Sequence, residues 1–151
     1  MAEYVTIIGP KLLYEEVRRC IMGSTAGEYA LEGFPTDWSS LVVRKGKASL
    51  AFSVMRFVEA QDPFCCEVLH LANLARNAEG VSKKMLDKVE KLVASAEMII
   101  GVVGTPRLDS IERGEDAIYS VAETIEGIVF TGSEFLDSDG NVLLTLPEPE
   151  E

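Results

Sequence analysis

The stretch SSLVVRKGKASLAFSVMRF, residues 39–57, decides the fold that the sequence predicts. Two runs rich in apolar and β-branched residues lie on either side of Lys45-Gly46, a pattern typical of a β-hairpin with a short turn. In the second run, Leu50, Phe52 and Val54 alternate with serine and alanine, so one face of that strand should meet the core. The stretch therefore predicts two paired strands with a buried face.

Further elements are predicted on both sides of this hairpin. EYVTIIG (3–9) has the β-branched residues of a strand and is followed by a Gly-Pro pair that favours a helix start. Residues 24–38 show no clear period and are expected to form a loop. Apolar spacing predicts helices over residues 11–23, 64–78, 83–96 and 115–127, a central strand over 97–105, and a closing hairpin with its turn at Asp139-Gly140. Ser82 is expected to be the N-cap of the helix over 83–96.

This order of elements predicts an α+β protein. Its first part has the β-α-β-β-α-β order of a split ferredoxin-like unit, which a further helix and the closing β-hairpin extend. We expect a single mixed sheet with the helices packed mainly on one face. Residues 1–146 should form one domain, and residues 147–151 an acidic, solvated tail.

Charge and composition narrow the classes of partner. The chain has 151 residues and a net charge of −11, whereas a nucleic-acid-binding domain needs a basic face to displace counterions. The same charge would be repelled by an anionic membrane surface. The start of the chain has no signal peptide and the three cysteines are an odd number, so we expect a reducing, cytoplasmic location.

The C-terminal part of the chain resembles uncharacterised bacterial α+β domains. The stretches that carry the resemblance are MIIGVVGTP (98–106) and ETIEGIVFTGSEFLDSDGNVLL (123–144). The resemblance covers the last third to half of the chain and implies a small bacterial cytoplasmic α+β domain. It implies no catalytic or binding residue.

Two adjacent cysteines and the one histidine lie within DPFCCEVLH, residues 62–70. At 100° per residue, Cys66, His70 and Asn73 share the helix face opposite to the buried one, while Cys65 lies between the two faces. A thiolate and an imidazole at this spacing suit a nucleophile with its base, or two ligands of a zinc ion. The plainer interpretation is a helix face that contacts a neighbour or water, because no orienting group and no third ligand is evident.

No motif indicates a cofactor or a metal. GVVGTPRLD (101–109) has two of the three glycines of a dinucleotide fingerprint, and DSDGN (137–141) lacks glycine at the sixth position of a calcium loop. The end of the central strand, near Gly104 and Thr105, is still a place where a small ligand can bind in an open sheet.

Two functional hypotheses follow. The first is a non-catalytic binding or regulatory module that acts through protein contacts, with apolar loop residues as contact candidates: Tyr29, Phe34 and Trp38. The second is a thiol- or metal-dependent enzyme that uses Cys66 and His70. Leu69 and Leu74 flank the Cys66 face of their helix, and they predict a homodimer formed through that helix.

Overall fold

The computed structural model describes residues 3–55, 63–78 and 82–146, with the backbone alone for residues 63–66. The strands are β1 (Glu3–Gly9), β2 (Glu28–Phe34), β3 (Asp37–Lys45), β4 (Ala48–Met55), β5 (Met98–Thr105), β6 (Ile128–Phe130), β7 (Glu134–Leu136) and β8 (Val142–Thr145). The helices are α1 (Tyr14–Ser24), α2 (Pro63–Arg76), α3 (Lys83–Ala94) and α4 (Gly114–Thr124). The predicted α+β class is confirmed.

The strands form a single open sheet in the order β2-β3-β4-β5-β1-β6-β7-β8. Every ladder between described strands is antiparallel, so the expectation of a mixed sheet is wrong. The ferredoxin-like arrangement is not confirmed, because that arrangement places the first strand between the third and the fourth, whereas β4 here pairs directly with β5 and not with β1. Instead, β1 lies between β5 and β6 and is antiparallel to both.

Helices cover both faces of the sheet, and not mainly one as the sequence suggested. On the first face, α1 and α4 pack over the alternate residues of the strands, and Val17 and Val121 are fully buried there. On the second face, α2 and α3 pack over Ile8 and Ile99. The reason is that β1 and β5 carry large apolar side chains at successive positions, so both of their faces need cover.

The predicted hairpins and the cap of α3 are confirmed. Strands β3 and β4 pair around Gly46, whose φ of 62° suits the tight turn that joins them. The side chain of Ser82 accepts a hydrogen bond from the backbone N–H of Met85, as expected of a helix N-cap. These features depend on neighbouring residues alone, which is why the sequence predicts them well.

The expected loop over 24–38 is wrong, because residues 28–34 form strand β2 and strand β3 begins at Asp37. Glu28, Ala30 and Glu32 alternate with Tyr29 and Leu31, which pack against the first-face core. Strand β2 then pairs with β3 at the edge of the sheet. The alternation went unrecognised because charges and small residues occupy one face of this edge strand.

Within the described residues, no helix has both the length and the apolar character needed to cross a membrane.

Candidate protein-contact surface

The second face of the sheet is covered by helices over only part of its area. Strands β4, β5 and β1 pass under α2 and α3 at one end, where Met55, Ile99 and Ile8 form a cross-strand row in the second-face core. Four residues further along each strand, the matching row is Ala51, Val103 and Tyr4. No described element packs over this second row.

We call the uncovered region the open half. It is the second-face surface of β2, β3, β4, β5 and β1 away from α2 and α3. Its central row, read across the sheet, is Ala30, Val42, Ala51, Val103 and Tyr4. The row next to the covered half is Glu32, Ser40, Ser53, Gly101 and Thr6, and the row on the other side is Glu28, Arg44, Ser49 and Thr105.

The open half is apolar where it is most accessible. Tyr4 is 62% exposed and Val103 is 39% exposed, although both lie on strands in the interior of the sheet. Ala51 and Val42 are half-buried, because their neighbours in the row shield them only from the sides. An exposed strand face more often carries long polar side chains, so this surface is unusual for contact with water alone.

Charge is also sparse on the open half. In a chain of net charge −11, its charged residues are Glu28, Glu32 and Arg44, and all three lie on β2 and β3, at one edge of this region. Glu28 and Arg44 are cross-strand partners, so one of the two acidic charges has a basic neighbour. Depletion of charge at the centre with charge at the rim is the composition typical of a protein–protein interface.

The loop candidates predicted from sequence divide between core and surface. Trp38 is fully buried and its indole N–H donates a hydrogen bond of 2.8 Å to the carbonyl oxygen of Tyr14, so its ring fills the first-face core. Tyr29 is half-buried, and its hydroxyl donates to the carbonyl oxygen of Thr25 at 2.7 Å. Phe34 is 77% exposed at the end of the edge strand. Of the three, Phe34 alone is largely exposed.

The leucines of α2 also differ from each other. Leu69 is 66% exposed, whereas Leu74 packs against the second-face core beside Leu71. The side chain that the sequence offers as a dimer contact on α2 is therefore Leu69. A homodimer through this helix stays a prediction.

The proposed thiol site falls partly outside the described residues. The side chains of Cys65 and Cys66 belong to that undescribed part, while His70 and Asn73 are exposed on α2. Cys20 lies on α1 and packs against the first-face core. Among the described residues, no group of three His, Cys, Asp or Glu side chains is placed to hold a metal ion.

The end of β5 offers little room for a small ligand at Gly104. A Cβ atom at this residue would lie 2.5 Å from the carbonyl oxygen of Arg107 and from the backbone of Leu108. The following loop therefore packs directly on the Gly104 backbone, which explains the glycine by close approach. Thr105, in contrast, is exposed and belongs to the open half. A ligand near these two residues stays a prediction.

A groove of about 340 Å³ lies between α3, the end of α4 and the β7–β8 turn. Lys88, Glu123, Glu126 and Asp137 line it. Val89, Leu92, Ile128 and Leu143 form its apolar floor, and three carboxylates and one ammonium group stand around it. No sequence pattern indicates this groove, because its lining residues come from separate elements.

Comparison of the chain with protein-family models, curated proteins and solved structures finds no match.

Proposed function

We propose that this protein is a binding module that acts through protein contacts, and that the open half is its contact surface. The observation that carries the proposal is the change along β4, β5 and β1. On β5 and β1 these side chains are buried under α2 and α3 at one end, at Ile99 and Ile8, and exposed at the other, while on β4 they are half-buried at both ends. Such a step from covered to uncovered sheet provides a flat surface of small apolar and hydroxyl side chains.

The chemistry of the side chains supports contact rather than catalysis. Ala51, Val42 and Val103 have no group that can transfer a proton or attack a substrate, and the serines beside them have no described histidine within their rows. Small side chains let a partner's backbone or side chains approach the sheet closely, and they lose little rotamer entropy on burial. These properties favour association over chemistry.

The test uses a matched pair of substitutions. Val103→Arg puts a long charged side chain at the middle of the open half, whereas Val142→Arg puts the same side chain on β8, where the valine is 53% exposed at the far edge of the sheet. Tagged wild type and both variants are incubated with a lysate of the native cells, and retained proteins are quantified by mass spectrometry.

The proposal expects proteins that wild type and Val142→Arg retain and that Val103→Arg loses, because a buried unpaired guanidinium is costly in an interface. Circular dichroism and thermal unfolding of each variant show that the fold is intact. Identical retention by all three proteins would contradict the open half as the contact surface.

A further inference from the structure

We infer that the occupant of the open half is a second copy of this chain, packed face to face about a two-fold axis that runs parallel to the strands. The inference rests on the proposed function and deepens it by naming the partner. Its arguments are the order of side-chain sizes across the central row, the position of the few charges, and the area of the surface.

The two ends of the central row differ in side-chain size, while the valines on either side of its middle residue are equal. The row starts with Ala30 on the edge strand β2, passes Ala51 at its middle and ends with Tyr4 on β1. A two-fold axis parallel to the strands and lying over β4 reverses this order in the second copy. Tyr4 of one subunit then faces the small Ala30 of the partner, and the Ala51 residues of the two subunits face each other.

The same axis places Val103 opposite the partner's Val42, so two medium-sized side chains meet midway between the centre and the rim. Large side chains then meet small ones at the rim, and side chains of equal size meet inside it. Such pairing allows two faces to interdigitate at the density of a protein interior. Sheets that pack face to face keep their strands within about 30° of each other, so these pairings hold best near the centre.

The alternative axis, perpendicular to the strands, fits poorly. It would place Tyr4 against the partner's Tyr4 and leave a gap between the two Ala30 residues. It would also place Glu28 opposite the partner's Glu32, and facing carboxylates repel each other. The axis parallel to the strands instead sets Arg44 opposite the partner's Thr105 and Glu32 opposite the partner's Thr6, with no facing like charges.

The area of the open half sets the strength of the contact. Five strands about 4.8 Å apart and three rows about 6.8 Å apart give a surface of at most about 500 Å² per subunit when the outer side chains are included. The buried Thr6 adds little to it. Two such surfaces bury at most about 1,000 Å² in total, the lower end for a specific interface. Interfaces at this end of the range are mostly weak and transient, so we expect a reversible dimer with a dissociation constant on the order of micromolar or weaker.

Sedimentation equilibrium of the full chain from about 1 μM to about 1 mM tests the inference, since this range spans the expected dissociation constant. The fitted mass of wild type should rise from 16.5 kDa towards twice that value. Val103→Arg should raise the dissociation constant at least about tenfold, and Val142→Arg should leave it unchanged. A mass of 16.5 kDa at every concentration overturns the inference.

Substitutions at Thr105 test the direction of the two-fold axis. They do not require the fold to tolerate an arginine at position 103. Thr105 is exposed, and in its own subunit it is separated from Arg44 by the intervening strand residue Ser49. Across the proposed interface it faces the partner's Arg44. Thr105→Glu should therefore tighten the dimer and Thr105→Lys should weaken it, each by a few-fold, and both effects should fall as salt is added.

Three results overturn the inference while leaving the proposed function open. One is equal dimerisation of Thr105→Glu and Thr105→Lys. Another is a dimer that Leu69→Glu breaks and Val103→Arg does not, which would place the contact on α2. The third is a monomeric wild type whose captured partner proteins are still lost in Val103→Arg. A monomer whose captured proteins do not respond to Val103→Arg removes both proposals together.

Discussion

The covered and open halves of the second sheet face are made by the same strands, but they carry different side chains. Strand β5 contributes the fully covered Ile99 to one half and the exposed Val103 to the other, and β1 contributes Ile8 and Tyr4 in the same way. Between them lies a row with Gly101 and Ser53, too small to make contact with α2 and α3. One strand therefore lies in the core at one end and is exposed at the other.

The difference between the halves is one of cover and volume rather than polarity. Neither half has charged residues at its centre. In both halves, the second-face side chains alternate along the strands with side chains of the first-face core. In the covered half, large side chains fill the space under α2 and α3. In the open half, small ones leave a shallow, flat surface. Stability should therefore depend on the covered half, and association on the open half.

The largest expected difference between the halves comes from removing one aromatic ring in the covered half and one in the open half. Phe135 is fully buried in the covered half, with its ring centroid 4.5 Å from that of Phe130. Phe135→Ala should lower the free energy of unfolding by about 3–5 kcal/mol, because it leaves a cavity as well as losing buried area. Tyr4→Ala in the open half should change it by only about 0.5 kcal/mol. Urea unfolding of the monomer at low concentration measures both, and comparable losses would contradict the distinction.

A smaller effect is expected at the start of the helix that covers the second face. Ser82 accepts the N–H of Met85 at 3.2 Å and so satisfies one of the free donors of α3. Ser82→Ala should cost about 1 kcal/mol. The matched change Ser53→Ala lies in the open half, away from any helix start, and should cost less than about 0.5 kcal/mol. If the two denaturation midpoints move equally, α3 does not depend on this cap.

The smallest effect concerns the pH dependence of the β7–β8 turn, which borders the covered half. Partial burial opposes ionisation of Asp137. Hydrogen bonds from the backbone N–H groups of Asn141 and Asp139, together with the charge of Lys88, outweigh it, so the pKa of Asp137 lies below its ordinary value. The stabilisation is present above the unfolded-state pKa of about 3.9 and is lost as pH falls through the folded-state pKa.

Asp137→Asn should therefore lower stability near neutral pH by less than about 1 kcal/mol, since the carboxylate is close to solvent. The gap between wild type and variant should narrow as the solution is acidified. Thermal unfolding over a pH series measures it, with Asp139→Asn in the same turn as the control. A gap that widens on acidification contradicts the sign of the pKa shift.

The sequence predicts those features that depend on near neighbours. The turn at Gly46, the cap at Ser82 and the closing hairpin at Asp139-Gly140 were all predicted, because each needs only a few consecutive residues. Strand direction and order were not, because a pairing such as β1 with β5 joins residues nearly a hundred positions apart. Local sequence patterns do not indicate which distant strand pairs with a given strand.

The sequence does not indicate the open half, and the reason is a different one. Ser49, Ala51 and Ser53 alternate with large apolar residues, but small residues on one face of a strand are also typical of a face in contact with water. The available signal was the lack of any charged residue among them in a chain of net charge −11. The aromatic residues in 24–38 suggest contact sites instead, but Trp38 among them is fully buried in the core.

The most direct test of the central claim is methyl NMR of the chain labelled at alanine, valine and isoleucine, recorded from about 10 μM to about 1 mM, where an interface of this size should assemble. The account predicts concentration-dependent shifts at the methyl groups of Ala30, Val42, Ala51 and Val103. Ile8 and Ile99 in the covered half and Val142 on β8 should stay unchanged. Shifts at Val142 with none in the open half would contradict the account.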